Sequence, residues 1–347
     1  MLALVLSAAI GLVGPPRTVG MDAVELVAGR EVAGQEALQV EHEGHRYLFA
    51  TEASRAAFLA RPGTYEVQLG GACARMGPLS GLGRTDLFAV HDGRLYLFAS
   101  EACRSTFLAD PEALLERADA APAPSPEEAR RGAAVLERAL AAMGGRAAVR
   151  GLTSLRLAQS QRVRSGGREY THRQAWTFRF PNGLHVVDAW DEREWSMTLA
   201  GERGWFGGAD ARPMVQSQRE AMERELLHDP IVLLRLFAEG GLTVRFDGTE
   251  GGTDLVEAHA QGVTTTLGID GLSGRVVAAR YRGRGPGSKI VATEARFGGF
   301  REQAGVWVPT RVEVYSLGAE KPHTVRECAE VRANVADDTA VFEPPTP

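Results

Sequence analysis

The side chains best suited to chemistry are three cysteines, Cys73, Cys103 and Cys328, and a group of histidines early in the chain, His42, His45 and His91. Thiolate and imidazole are the donors that zinc and copper take most readily, so Cys73, His91 and Cys103 are a candidate metal set. Three donors would leave such a site open or incomplete. The competing reading joins Cys73 to Cys103 in a disulfide and leaves Cys328 as a free thiol. His42-x-x-His45 is a weaker pair, because positions three apart on a strand face opposite sides. Catalytic signatures are missing: there is no Gly-x-Ser-x-Gly, no His-Glu-x-x-His and no phosphate-binding Gly-x-x-x-x-Gly-Lys loop. The acidic run Asp188 to Glu194 reads as a solvated turn. Binding is therefore expected rather than catalysis.

A second set of residues is apolar. Along His172 to Phe180, Gln174, Trp176, Phe178 and Phe180 alternate with Arg173, Thr177 and Arg179, which makes Trp176, Phe178 and Phe180 one face of a strand. Leu233 and Phe237 lie in the run Ile231 to Phe237, which opens after Asp229-Pro230 as a helix too apolar to stand in water. With Leu267 on a further strand, these six are the candidate lining of an apolar ligand site.

The elements that must position these residues fall into two units. His42 to Pro62 aligns with His91 to Pro111 at an offset of 49 residues, with thirteen of 21 positions identical. Each copy reads as a hairpin turn at Glu43-Gly44 or Asp92-Gly93, a strand through Tyr-Leu-Phe, and a short helix capped by Thr51 or Ser100. The repeats span about residues 22–65 and 71–115 of a unit covering 21–117. At the offset of 49, Cys73 and Cys103 fall opposite Val24 and Ser54. Residues 118–125 are a Pro/Ala-rich linker. Ser125, Pro126 and Glu128 then form a capping box at the start of a helix that ends at Gly144-Gly145. Beyond it, over 126–347, alternation gives strands near 153–163, 172–180, 184–190, 195–200, 262–269, 273–282, 289–299, 305–316 and 322–334, with one helical interruption near 217–239. In the last strand Val325, Ala329, Val331 and Ala333 alternate with polar neighbours, which puts Cys328 on the polar face.

Length and charge bound the rest. The chain has 347 residues, a net charge of -5 and a pI near 6.0, so it offers no basic field for nucleic acid or an anionic membrane surface. Among 39 basic residues only Lys289 and Lys321 are lysine, a skew expected of a GC-rich bacterial genome. Leu2 to Gly14 is an uncharged apolar run of secretory-leader length, so residues 1–20 are expected to direct export to the periplasm or beyond. No run is long enough for a transmembrane span.

Two resemblances sharpen these expectations. Gly93 to Pro111 resembles the YHS domain, a small metal-associated module of treble-clef type, and Tyr65 to Ala74 is similar to a segment of its exported members. Cys103 matches one cysteine of that family's box and Cys73 its upstream cysteine, while the first box position is Ala99. From residue 126 onward the order of elements is similar to the LolA/LolB-like periplasmic lipoprotein carriers, with matching pieces at Met143-Gly-Gly, Gly204-Trp205, Ile269 to Gly274, Gly305 to Pro309 and Phe342 to Pro345. Together they imply an α+β chain: a tandem ββα-like module, then a large antiparallel half-barrel sheet covered by helices. The function implied is an exported non-enzymatic protein holding a lipid, an acyl chain or a lipidated peptide, with an apolar small molecule or lipidated protein as partner. Copper or zinc handling by the first module is one alternative. A structural or docking role toward another envelope protein is the other.

Overall fold

The hairpin turns of the repeat follow directly from their residues. Glu43 and Gly44 have φ of 46° and 75°, and Asp92 and Gly93 have 48° and 67°, the two-residue turn whose twist matches that of paired strands. They join Gln35–His42 to His45–Phe49 and Arg84–His91 to Arg94–Phe98. A nine-residue helix follows each hairpin, Glu52–Ala60 and Glu101–Ala109, with Thr51 and Ser100 accepting the amides of Ser54 and Cys103. The helix phenylalanine turns back onto its hairpin: the Phe58 ring lies 4.6 Å from that of Tyr47, and Phe107 5.2 Å from Tyr96.

The structure, a computed structural model, describes residues 16–165, 167–190, 192–207 and 212–343. The expected leader run, Leu2 to Gly14, lies outside them. Arg17–Val19 pairs in parallel with His45 to Tyr47 and Val19 is buried, so the first unit begins ahead of the Met21 boundary drawn from the sequence. No helix among the described residues is long and apolar enough to cross a membrane.

Residues 117–125 carry no helix or strand, as the linker composition implies. The helix Pro126–Ala142 starts with the expected box, Ser125 and Glu128 each bonding the other's backbone amide. Its buried stripe is Val135, Leu136, Ala139 and Leu140.

Thirteen strands then make one antiparallel sheet. It runs from Arg212–Pro213 at one edge through Arg203–Gly207, Arg193–Ala200, Gly183–Trp190, Arg168–Arg179 and Ser154–Ser165. It continues across Thr324–Ala333 and Arg311–Ser316 to Ile290–Gly298, Val276–Arg284, Val263–Asp270, Thr253–Ala260 and Thr243–Glu250. The two edge strands do not pair with each other, so the sheet stays open. One core nevertheless joins Phe178, Leu184 and Leu199 from one half with Val256, Leu267 and Ile269 from the other, through Leu233 and Leu234 of the helices. A flat sheet would hold those rows far apart, so this one curls around its helices.

Alternation had not indicated the strands Arg203–Gly207, Thr243–Glu250 and Thr253–Ala260. The stretch read as a strand over 305–316 is two elements. Val306–Val308 pairs with Arg301–Gln303 in a separate hairpin, and Arg311–Ser316 enters the main sheet. Pro309, which has no amide to donate, lies between them. The helical interruption is likewise two helices, Gln216–Leu226 and Pro230–Glu239, broken where Asp229 caps the second by accepting from Ile231 and Val232.

One departure from simple alternation decides what faces the inside. Between Cys328 and Glu330 the strand Thr324–Ala333 slips by one residue, so that Cys328 stands opposite Gln159 and Glu330 opposite Ala158. The bulge reverses the parity of the strand. Cys328 therefore is not on an outward polar face: it is half-buried and packs against the main core, as Val331 and Ala333 do beyond the bulge.

Candidate functional site

Space remains between the curved sheet and the Gln216–Leu226 and Pro230–Glu239 helices. One cavity, of about 60 Å3, is walled by Leu155, Leu157, Phe178, Ile231, Phe297 and Val308. A larger one, of about 260 Å3, is walled by Leu184, Val186, Met197, Met222 and Val314, with Gln174, Asp188 and His323 among its polar groups. Trp176, Glu225, Tyr281 and Arg326 line both. Strand register explains the gradient along the wall. Leu155, Phe178, Leu184 and Leu199 form one row across neighbouring strands, and Leu157, Trp176, Val186 and Met197 the next. The row after that is Gln159, Gln174 and Asp188, linked side chain to side chain at 2.9 and 3.0 Å. His172 reaches the same Asp188 carboxylate at 2.9 Å.

Several groups facing this space have no partner. The Arg326 guanidinium lies 4.9 Å over the Trp176 ring, and the Nε of Arg326 and the Nε1 of Trp176 are buried without a hydrogen bond. His228 stacks on Tyr281 with ring centroids 3.8 Å apart. Thr265 gives its hydroxyl proton to the Leu227 carbonyl and so accepts from His228 Nδ1, which leaves Nε2 as a bare acceptor. Burial lowers His228 to about 3, Arg224 adding to the effect. Burial likewise raises Asp229 to about 6 against the hydrogen bonds it accepts from Val232 and Ile231. Glu225 lines both cavities with an exposed side chain, and desolvation pushes its carboxyl up against the pull of the Arg326 guanidinium.

Of the six residues expected to hold a ligand, Trp176 and Phe178 line the cavities. Leu233 and Leu267 are buried in the core beside them. Phe180 stacks on Phe178 under the Arg235 guanidinium, and Phe237 packs beneath Arg146. Tyr281, Phe297, Glu225 and Arg326 were not singled out from the sequence. Period-two alternation along their strands gives a signal for Tyr281 and Phe297. Arg326 had none, because the bulge comes after it.

The first unit brings Cys73 and Cys103 together and leaves His91 elsewhere. Both thiols are free and buried, and they lie close enough to influence each other's ionisation. Cys73 Sγ also accepts from the Ala99 amide at 3.4 Å. Burial raises Cys73. Burial acts the same way on Cys103, but hydrogen bonds from Ser100 and Cys73 and the Arg75 guanidinium bring it below the ordinary thiol range. His91 Nε2 faces Asp92 and Glu112 at 3.7 and 3.6 Å, and these three form the one cluster with metal-ligand spacing among the described residues. His42 bonds Glu66 at 2.7 Å, while His45 points its Nδ1 to the Glu43 carbonyl and is lowered to about 4 by burial. The pair therefore does not converge on one ion.

Backbone pairing also corrects the alignment of the repeats at Cys73. Asp22 donates its amide to Val32 and Cys73 to Gly81, and Gly34 and Gly83 donate to Gly20 and Gly71. The equivalent of Cys73 is thus Asp22, not Val24, the first repeat carrying two extra residues between Asp22 and Val32. Where the second repeat has two thiols, the first has the Asp22 carboxylate accepting from Ser54 Oγ at 2.6 Å.

The two units touch at the cavity. Gln218 donates to the carbonyls of Leu69 and Pro78, and Leu79 packs into the main core and lines the larger cavity. Glu116 lies between Arg284 at 2.9 Å and Arg224 at 3.5 Å. Gly77 suits this contact, having a φ of 97° and leaving room for the Arg284 guanidinium where a Cβ would stand. The linker is fastened too, Asp119 accepting from the Thr264 amide and donating its own to Gly262.

No family model matches the chain, so neither family resemblance is supported by one, and no curated protein matches it. Among solved structures it is similar to a DUF1329 family protein from Desulfovibrio piger, with a TM-score of 0.43 and 13% identity, covering 62% of this chain and 97% of that one. It is also similar to a LolA superfamily protein from Nitrosomonas europaea, with a TM-score of 0.41 and 14% identity, covering 60% and 96%.

Proposed function

We propose that this chain is a non-enzymatic binding protein of the bacterial envelope that holds an apolar ligand, such as a lipid, an acyl chain or a lipidated peptide, between its curved sheet and the helices inside it. One observation carries the reading: a core packed to ordinary density fills its interior, whereas here apolar walls enclose open space. The two cavities together come near the roughly 300 Å3 at the small end of ligand sites. The break between the helices at residues 227–229 is the place where the cover swings to admit a longer chain. Leu79 and the Gln218 contacts make the first unit a cover over the larger cavity. Metal handling through Cys73, His91 and Cys103 is less favoured, because only two of its three donors lie together.

Native mass spectrometry of the full chain, gently extracted from a bacterial host, tests this. A bound lipid mass is expected, as is a fluorescence rise when N-phenylnaphthylamine is added to delipidated protein. Absence of both would overturn the reading.

A further inference from the structure

Burying a polar hydrogen-bonding group without a partner is destabilising, and native proteins do so rarely. Two such N–H donors, Arg326 Nε and Trp176 Nε1, lie side by side where the two cavities meet. Among the described residues the Arg326 side chain makes no hydrogen bond or ion pair. Of the other charges around it, all but Glu225 are engaged. Glu116 holds Arg224 and Arg284, Asp188 holds His172 and Gln174, and Asp229 caps a helix. Tyr281 faces the same space. A neutral hydrocarbon would leave both donors bare, whereas an oxyanion accepts from both and meets the guanidinium charge. The apolar rows through Leu155 and Leu157 run directly away from this point.

We propose that the space bounded by Arg326, Trp176 and Tyr281 receives the oxyanion head of a single-chain amphiphile, a carboxylate or a phosphate monoester, whose chain lies along the apolar wall. The inference rests on the apolar-ligand reading above and adds the head group to it. Glu225 is the one acidic group that opens onto this space without a partner. A glutamine in its place offers the oxyanion an amide donor with no charge.

The test is displacement of N-phenylnaphthylamine from the full chain by laurate, dodecyl phosphate, dodecanol and dodecyltrimethylammonium at neutral pH. At least one of the two anions should displace the dye tenfold or more better than the alcohol or the cation, and their order tells carboxylate from phosphate. Arg326→Gln should bring that anion to parity with dodecanol, Trp176→Phe should weaken it several-fold with the ring retained, and Glu225→Gln should preserve it. If the glutamine variant fails to fold, Arg326→Met serves in its place, and Trp176→Phe alone tests the second donor. Equal displacement by all four probes, or anion preference unchanged in the Arg326 variant, overturns the head-group assignment while the apolar-ligand reading stands. A dye that never binds overturns both.

Discussion

Replacing Asp22 by alanine should open the first repeat. Asp22 is fully buried and its two oxygens accept four hydrogen bonds: Oδ1 from the Val24 and Glu25 amides, Oδ2 from the Ala50 amide and the Ser54 hydroxyl. The first two are the N-cap of the helix Ala23–Val27, and losing a cap costs about 1 kcal/mol. The Ala50 N–H would be left without a partner, at about 1–3 kcal/mol. Ser54 loses less, because its hydroxyl also reaches the Thr51 carbonyl at 3.0 Å. The sum is about 3 kcal/mol, or roughly a hundredfold in the opening equilibrium. All five tryptophans lie in the second unit, so fluorescence would miss the change. Native-state hydrogen exchange on peptides from residues 17–60 reads it directly, with faster exchange expected there and little change beyond residue 126. Asp22→Asn keeps the cap but turns an amide toward the Ala50 N–H, so about half the loss is expected. An alanine variant within 1 kcal/mol of the parent, or an asparagine variant as damaged as alanine, would refute the argument.

Acid should destabilise the chain below pH 6.5. Burial holds His228 near 3 and His45 and His185 near 4, so between about pH 6.5 and 4 the unfolded chain binds more protons and stability falls with pH. Asp229, raised to about 6, acts the other way between about 6 and 4, since there the native state holds the extra proton. Three groups against one leave a net loss on the order of a few kcal/mol at pH 5 relative to pH 7, and a urea midpoint at pH 5 that equals or exceeds the pH 7 value would contradict it. Oxidised glutathione should join Cys73 to Cys103, leaving one thiol titratable in denaturant and stabilising the first unit by about 3–4 kcal/mol, whereas three thiols after oxidation would count against the pairing. Cys328, half-buried and raised by that burial, should react with a thiol reagent more slowly in native than in denatured protein. Limited proteolysis should cut within residues 120–125, beyond the Asp119 anchor, and the two fragments should elute together on gel filtration; separation would show that the contacts of Gln218 and Glu116 are weak.

Local chemistry explains what was legible in the sequence. The Glu43-Gly44 and Asp92-Gly93 turns, the Ser125 capping box and the Asp229-Pro230 helix start are each fixed by two or three neighbouring residues, and each is found where its residues imply. Pairings between distant segments are not written that way. The Asp22 to Cys73 equivalence hides behind a two-residue insertion, and the meeting of Leu79 with the second unit depends on docking. The site is affected most by one such feature, the bulge after Cys328. Without it, strict alternation would carry Val331 and Ala333 inward only by sending Arg326 and Cys328 out to solvent, and the polar end of the cavity would lack this guanidinium. With it, one strand delivers Val331 to the core and a guanidinium to the cavity, at the point where the apolar rows give way to Gln159, Gln174 and Asp188. A single slipped residue thus adds a positive charge at the polar end of an apolar cleft. Deleting Ala329 removes the extra residue while leaving Cys328 opposite Gln159 and Glu330 opposite Ala158, so Arg326 should keep its place in the cavity. Any anion preference should then persist along with dye binding, and its loss in that deletion would show that the bulge itself, rather than the register it sets, places the guanidinium.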